Sequence, residues 1–476
     1  MKNLNLKPEK VWQFFFKICN IPHPSGYEGK FRDYIKEFAK DRALELHEDK
    51  VGNILIKRVN NPQSETVILQ SHLDMVPQKT ENSEHDFIND PLNITFDGQY
   101  ISADDTTLGA DNGIGVAITL AVIDEPNPDL PNINALFTIE EETGMKGAFE
   151  LNSKFLDGKY LINLDSEDAS EIYIGCAGGI TTSIKFPLQE VTTENKKHYK
   201  LNISGFKGGH SGIDINKPIG NPIIIIFELL DKIYNKFNFS LSNINAGDLV
   251  NAIPRSAEAT ISIDNSLVDS FEEYKEHLIT ETLSTYKHYT NSLSLNIINT
   301  DDIKSCYSID ASLFQKLKEI PNGIIESGTD TIIASSNLGI CNIKNNEFAI
   351  LTLQRSFIKE KLQSTVQLIK NSLIGEIENI AIKSYDEYPG WQPIETSELI
   401  NLATEIYERK YSNKAKKIII HAGLECGVLK SKNNKLDIIS IGPNIFNPHS
   451  PREKVEVSSV QKSYEYLLEL LKEIKS

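Results

Sequence analysis

Apolar and polar positions follow two textures along this chain. Between residues 8 and 41, Phe31, Tyr34, Ile35 and Phe38 recur at i, i+3, i+4 and i+7, one face of a helix. Two helices are predicted there, around the Pro-rich turn Ile21-Pro22-His23-Pro24-Ser25-Gly26. Short β-like runs follow at 53–56, 66–70, 134–138 and 159–163, each bounded by Gly, Pro, Asn or Asp. A further helix is predicted just after Asp111, through Ile114, Ala117, Ile118 and Ala121. Strands alternating with helices predict an α/β fold layered on both faces of a sheet.

From about 184 to 386 the texture changes. Alternating strands at 199–204 and 257–263 surround a long predicted helix from Pro222 to Phe237, and a similar pattern recurs from about 294 to 386. This stretch reads as an inserted domain. The first domain resumes near Tyr388-Pro389-Gly390-Trp391, giving boundaries of 1–183, 184–386 and 387–476. The sequence leaves open whether the insertion holds two copies of one αβ unit.

At 476 residues the chain is too long for one ordinary core. A net charge of -17 disfavours nucleic acid or an anionic membrane surface as partner. No apolar run reaches the length of a membrane span, and Met1-Lys2-Asn3-Leu4 leads into charged residues rather than a signal-like apolar stretch. Five scattered cysteines form no CxxC pair and fit a reducing cytoplasm.

The chemistry lies in six short segments: Ser71-His72-Leu73-Asp74, Leu108 to Gly113, Thr138 to Gly144, Asn163 to Glu167, Gly208 to Gly212 and Pro448 to Pro451. Together they offer imidazole and carboxylate ligands for two zinc ions that activate one water against an amide carbonyl. His72 and Asp74, two apart at a strand end, point to one side, so Asp74 can accept the second ring N–H. Alone, the pair is a weak signal and better suits a surface His near an Asp. Asp111 reads either as a helix N-cap or as a carboxylate bridging two metals. The Glu140-Glu141-Glu142 triplet is either a solvated acidic turn or a metal ligand beside a general base. Asp165 and His449 sit where a ligand or an ordinary turn residue fits. His210 lies in a glycine-dense turn, and Asn251 and Arg355 are the other polar residues of note in the insertion; Arg355 has the geometry to hold a substrate carboxylate. There is no HExxH, P-loop, GxGxxG or GxSxG.

Taken in order, these segments resemble the zinc aminopeptidase and carboxypeptidase superfamily, and within it the aminoacyl-histidine dipeptidase branch. The resemblance extends to Met75 to Lys79, His85-Asp86-Phe87, Thr106 to Gly115, Tyr388 to Trp391, His421 to Gly427 and Ile441-Gly442-Pro443. It implies an α/β zinc-exopeptidase-like catalytic domain, a mixed central sheet between helices, with an inserted α+β lid domain. It implies a cytoplasmic dipeptidase acting on free-termini dipeptides such as Xaa-His, with two Zn2+ (Mn2+ or Co2+ also fit) and a homodimer as the assembly to test. In relatives the lid histidine can come from a partner chain. By the same resemblance Asp111 bridges the metals, His72 and Asp165 complete one site, and Glu142 and His449 the other. Glu141 is then the general base, Asp74 orients His72, and His210 stabilises the oxyanion. The register of the Glu triplet comes from the family spacing, a Glu pair, one residue, then Gly. Asn251, Arg355 and Gly423 resemble substrate-holding positions, and the Asp111–Asn112 peptide is expected to be cis. The chain departs from the branch at Ile213-Asp214-Ile215-Asn216, where Glu and His are usual at the polar positions. An amidohydrolase or carboxypeptidase acting on N-acylated amino acids is the alternative on the same site.

Overall fold

The computed structural model describes residues 5–475 apart from 304, 376 and 395. The expectation about Met1 to Leu4 therefore lies outside the described residues. The chain divides into two compact units: one takes the residues up to Cys176, Trp391–Ile419 and those from Leu424 on; the other takes Ala177–Gly390 and Ile420–Gly423.

In the first unit an eight-stranded sheet runs in the order Glu45–Glu48, Ile54–Arg58, Asn132–Thr138, Thr66–His72, Tyr160–Asn163, Asp437–Ser440, Glu171–Cys176, Lys416–Ile420. Its central strands are parallel: Thr66–His72 with both Asn132–Thr138 and Tyr160–Asn163, and Asp437–Ser440 with Tyr160–Asn163. Antiparallel strands flank them, so the sheet is mixed. The central strands are covered on both faces, which is why Thr66–His72 is buried from Val67 onward and carries three consecutive apolar residues, Val67-Ile68-Leu69, without alternation. Helix Ala110–Ile123 is buried along nearly its whole length and packs against helix Glu9–Ile18. Helices Glu398–Tyr411 and Val457–Lys475 pack on one another and join the same core. A separate four-stranded sheet, Ile445–Phe446, Lys454–Glu456, Tyr100–Ala103 and Ile94–Phe96, carries the loop from 447 to 453.

The second unit holds an eleven-stranded antiparallel sheet. Lys196–Ser204, Pro222–Phe237, Ser240–Ala246, Ala257–Asp264, Val268–Tyr286 and Ser294–Asn299 form a βαββαβ unit with spatial strand order 4-1-3-2. Gly178–Pro187, Ile332–Lys344, Glu347–Ser356 and Ala381–Tyr388 repeat that order in mirror image, with helix Lys359–Leu373 before the last strand. The insertion thus holds two related αβ units, one threaded into the other after its first strand. The unit boundaries fall at Cys176/Ala177 and Gly390/Trp391 rather than at 183/184 and 386/387. The reason is that Gly178–Pro187 and Ala381–Tyr388 pair with each other inside this sheet. Among the described residues no helix is long and apolar enough to cross a membrane, and all five cysteines are buried.

Candidate active site

The parallel strands of the first unit end on one edge, and the sequence places a polar residue just beyond each apolar run. His72 is the last residue of its strand, Glu141 and Glu142 follow Thr138, and Asp165 follows Asn163. Carboxyl ends of parallel strands are where open α/β sheets build their sites. Asp111 comes from the entry of helix Ala110–Ile123, where its backbone is non-helical and its peptide bond to Asn112 is cis.

The two oxygens of Asp111 face two different groups. Oδ1 lies 3.0 Å from His72 Nε2, which is 3.3 Å from Asp165 Oδ1. Oδ2 lies 3.0 Å from His449 Nε2, which is 2.9 Å from Glu142 Oε1. His72, Asp111 and Glu142 each offer a ligand atom within 4.8 Å of the others. These separations suit zinc, since bonds of about 2.0–2.1 Å in a tetrahedron put ligand atoms roughly 3.3 Å apart. Asn112 Nδ2 donates to Asp165 Oδ1 and to Leu164 O, tying Asp165 to the turn that carries Asp111.

The charge balance of this pocket is strongly acidic. Burial lifts Glu141 well above the usual carboxylate range, with Glu142, Asp165 and Glu425 adding to the effect. Burial and Asp111 raise Glu142, and burial with Asp111 and Asp165 pushes Glu167 up to about 8. Burial alone would lower His72, but Asp165, Asp111 and Asp74 outweigh it and hold the ring well above its ordinary value. Asp111 is held below the usual range, its burial outweighed by His449 and His72. Bound cations would relieve the mutual repulsion of these carboxylates.

Asp74 meets the ring of His72 with both its backbone oxygen and its carboxylate. His72 Nδ1 is 2.9 Å from the backbone oxygen of Asp74 and 3.4 Å from its carboxylate, so the carbonyl is the nearer acceptor that fixes the tautomer. The Asp74 carboxylate also accepts the backbone N–H of Glu141 (2.9 Å) and Glu142 (3.1 Å) and the Ser25 hydroxyl (2.8 Å). Glu140 turns away with a left-handed backbone (φ 48°) and pairs with Lys146 at 2.7 Å. Asp111 is not the helix cap: Glu453, buried and far along the chain, accepts the backbone N–H groups there. Glu425 is a second buried carboxylate beneath the strand ends, accepting from Gln70 (2.6 Å) and Thr138 (2.7 Å). Sequence reasoning missed both roles. The only signals were Glu453 four residues beyond His449 and Glu425 within the segment His421 to Gly427.

The remaining residues singled out in the sequence lie in the second unit. His210 pairs with Ala252 in a two-stranded ribbon, and its Nδ1 accepts the N–H of Gly212 (3.2 Å) and Ile213 (3.0 Å). Asp214, in the segment that departs from the branch, braces this turn by accepting the His210 N–H at 2.8 Å. Arg355 is buried, donating to Ser211 Oγ at 3.2 Å and to the Tyr388 hydroxyl at 2.6 Å, with Nη2 3.4 Å from His210 Nε2. Tyr388 also touches Gly423, where an added Cβ would lie 3.0 Å from the ring. His421 is kept neutral, pushed down to about 3 by burial, Arg355 and His210, and its Nε2 meets Ser335 Oγ at 2.7 Å. Asn251 is exposed; its backbone oxygen accepts the Ser211 N–H at 2.9 Å.

Fold and site together are those of a peptide-bond hydrolase. Residues 68–473 match the sequence profile of Peptidase family M20/M25/M40, and the chain belongs to that family. It is 38% identical over 480 residues to the cytosol non-specific dipeptidase of Escherichia coli (strain K12), covering 98% of each chain. The crystal structure of aminoacylhistidine dipeptidase from Vibrio alginolyticus superimposes with a TM-score of 0.85 at 34% identity, covering 99% of this chain and 98% of that one. Aminopeptidase PepT from Bacillus cereus shares the fold, with a TM-score of 0.59 at 14% identity over 99% of this chain and 100% of that one.

Proposed function

We propose that this peptidase is a dizinc dipeptidase cleaving dipeptides with free termini, Xaa-His such as β-alanyl-histidine among them. The observation that supports it most is the division of Asp111, one oxygen toward His72 and Asp165 and the other toward His449 and Glu142. His72, Asp165 and one oxygen of Asp111 would hold one metal, and Glu142, His449 and the other oxygen of Asp111 the second. Zinc suits this donor set, and manganese or cobalt also fits it. When bound, the pair supplies Lewis acidity toward the scissile carbonyl and lowers the pKa of the attacking water.

Glu141 is the general base. It takes the proton of the attacking water and returns it to the leaving amine. Asp74 fixes Glu141 through its backbone N–H. His210 donates from Nε2 to the carbonyl oxygen as negative charge develops there, a kind of contact worth about 3–4 kcal/mol. Arg355 binds the substrate carboxylate, since its hydroxyl partners leave the guanidinium charge unneutralised; Gly423 and Asn251 line the substrate. Cytoplasmic location fits the buried free cysteines and the name of the Escherichia coli relative.

The test is hydrolysis by zinc-loaded protein of Gly-His, β-alanyl-histidine and Gly-Leu beside N-acetylated amino acids and Gly-Gly-Gly. Free dipeptides are expected to exceed acylated amino acids in kcat/KM by on the order of 100-fold or more, because a site built for a free amine rejects its absence strongly. Faster cleavage of the acylated compounds would overturn the reading in favour of an amidohydrolase.

A further inference from the structure

One buried carboxylate has no part in the chemistry above. Glu453 is 2% exposed. Its oxygens accept four consecutive backbone N–H groups: Oε2 from Leu108 (2.8 Å) and Gly109 (3.1 Å), Oε1 from Ala110 (2.8 Å) and Asp111 (3.3 Å). Gly109, Ala110 and Asp111 stand at a helix entry, where such groups have no intrahelical partners and a side chain next to them in sequence normally satisfies them; Leu108 lies just ahead of the cap. Here Gly109 has a left-handed backbone (φ 66°) and no local side chain caps the helix. The acceptor comes from 343 residues away.

The other end of Glu453 belongs to the His449 loop. Its own N–H donates to Ser450 O at 2.9 Å. The next residue opens strand Lys454–Glu456, which pairs with Ile445–Phe446 and with Tyr100–Ala103. Between the two hairpin strands the chain lifts His449 out, its side chain 50% exposed and its backbone left-handed (φ 57°). That conformation is unfavourable for a non-glycine residue and persists only where the surroundings enforce it. One carboxylate therefore ties the turn that carries Asp111 to the loop that carries His449.

We propose that Glu453 is a positioning residue of the metal site: it fixes His449 against Asp111, and so sets the geometry of the metal those two ligands share. This rests on the two-metal reading above. Glu453→Gln keeps the size but replaces one oxygen with an NH2, which then faces N–H donors. Zinc titration of the apo protein by calorimetry, d–d absorption of the cobalt-loaded protein and thermal unfolding of the apo form are measured together. The expected result is that one of two metal equivalents weakens by about 10–100-fold, the usual cost of removing a group that orients a ligand, and that the cobalt band changes. The apo form should still unfold cooperatively. In a His449→Ala background the same change should weaken metal binding far less than it does with His449 present. If Glu453→Gln does not fold, Glu453→Asp, which keeps the charge but draws it back by one methylene, gives the same readouts. Unchanged metal affinity and cobalt spectrum in a variant whose apo form is merely less stable would overturn the proposal and make Glu453 a helix cap only. Failure of the two-metal reading would appear instead in the unmutated protein, as fewer than two equivalents bound.

Discussion

Asp74→Asn tests how the site holds its base. The Asp74 carboxylate, in a residue 1% exposed, accepts the N–H of Glu141 and of Glu142 and the Ser25 hydroxyl. Asparagine has one oxygen for these three bonds. The Ser25 hydroxyl can rotate and accept from the new NH2, but one of the two backbone N–H groups must then face a donor. A stranded buried N–H costs about 1–3 kcal/mol, and the bond that remains loses its charge assistance, roughly 1 kcal/mol more. The segment relieves this by shifting, which moves Glu141 and Glu142 together. We therefore expect kcat on a dipeptide to fall about 10–100-fold, as for other groups that orient ligands, with KM changed much less and the apo protein unfolding at lower temperature. The assay is steady-state hydrolysis of Gly-His at saturating zinc, with thermal unfolding alongside. Wild-type kcat together with wild-type stability would refute the claim that this carboxylate sets the register of the Glu pair.

Three further outcomes follow from the geometry. In Gly115→Ala the new Cβ would lie 2.2 Å from Asn112 Oδ1 and 2.6 Å from Leu164 O; we expect a loss of about 1–3 kcal/mol from overpacking and reduced metal content on elemental analysis. Arg355→Lys removes the planar fork that spans Ser211 and Tyr388, so KM for dipeptides should rise about tenfold or more with kcat changed less, in steady-state kinetics. In the apo protein burial pushes the Glu425 carboxyl up from 4.5 to about 7, with Asp165 adding to it. Between those values the folded state keeps a proton that the unfolded chain has released, so Glu425 lends stability below pH 4.5 that is lost as pH rises through 7. Glu425→Gln should accordingly flatten the fall in apo unfolding temperature between pH 5 and 7.5.

The apolar runs before His72 and Asp165 placed those two residues at strand ends, but their reading as ligands, like that of Asp111, Glu142 and His449, came from the family resemblance and not from the pattern. Strands buried on both faces show no period-two alternation, so the pattern alone does not fix which way His72 and Asp165 face. The register of the Glu triplet was not legible from pattern, since any of three adjacent carboxylates fits a strand end. It came from family spacing, and the left-handed backbone that turns Glu140 toward Lys146 left no trace in the sequence. Asp111 looked like a cap because an Asp at a helix entry usually is one. The cap is Glu453, and a contact across 343 residues has no local signature. The same holds for Glu425, whose partners Gln70 and Thr138 lie 355 and 287 residues away. The inserted unit was placed by its change of texture, but its mirrored strand order depends on pairings among strands such as Gly178–Pro187 and Ala381–Tyr388 that no single segment announces.

The most direct test of the account is Glu141→Gln in zinc-loaded protein, with metal stoichiometry measured on the same sample used for Gly-His hydrolysis. The account predicts two zinc equivalents still bound and kcat reduced by about 100-fold or more, the scale of a lost general base. Two bound equivalents with unimpaired turnover would contradict it, and would move the base to another carboxylate of the pocket.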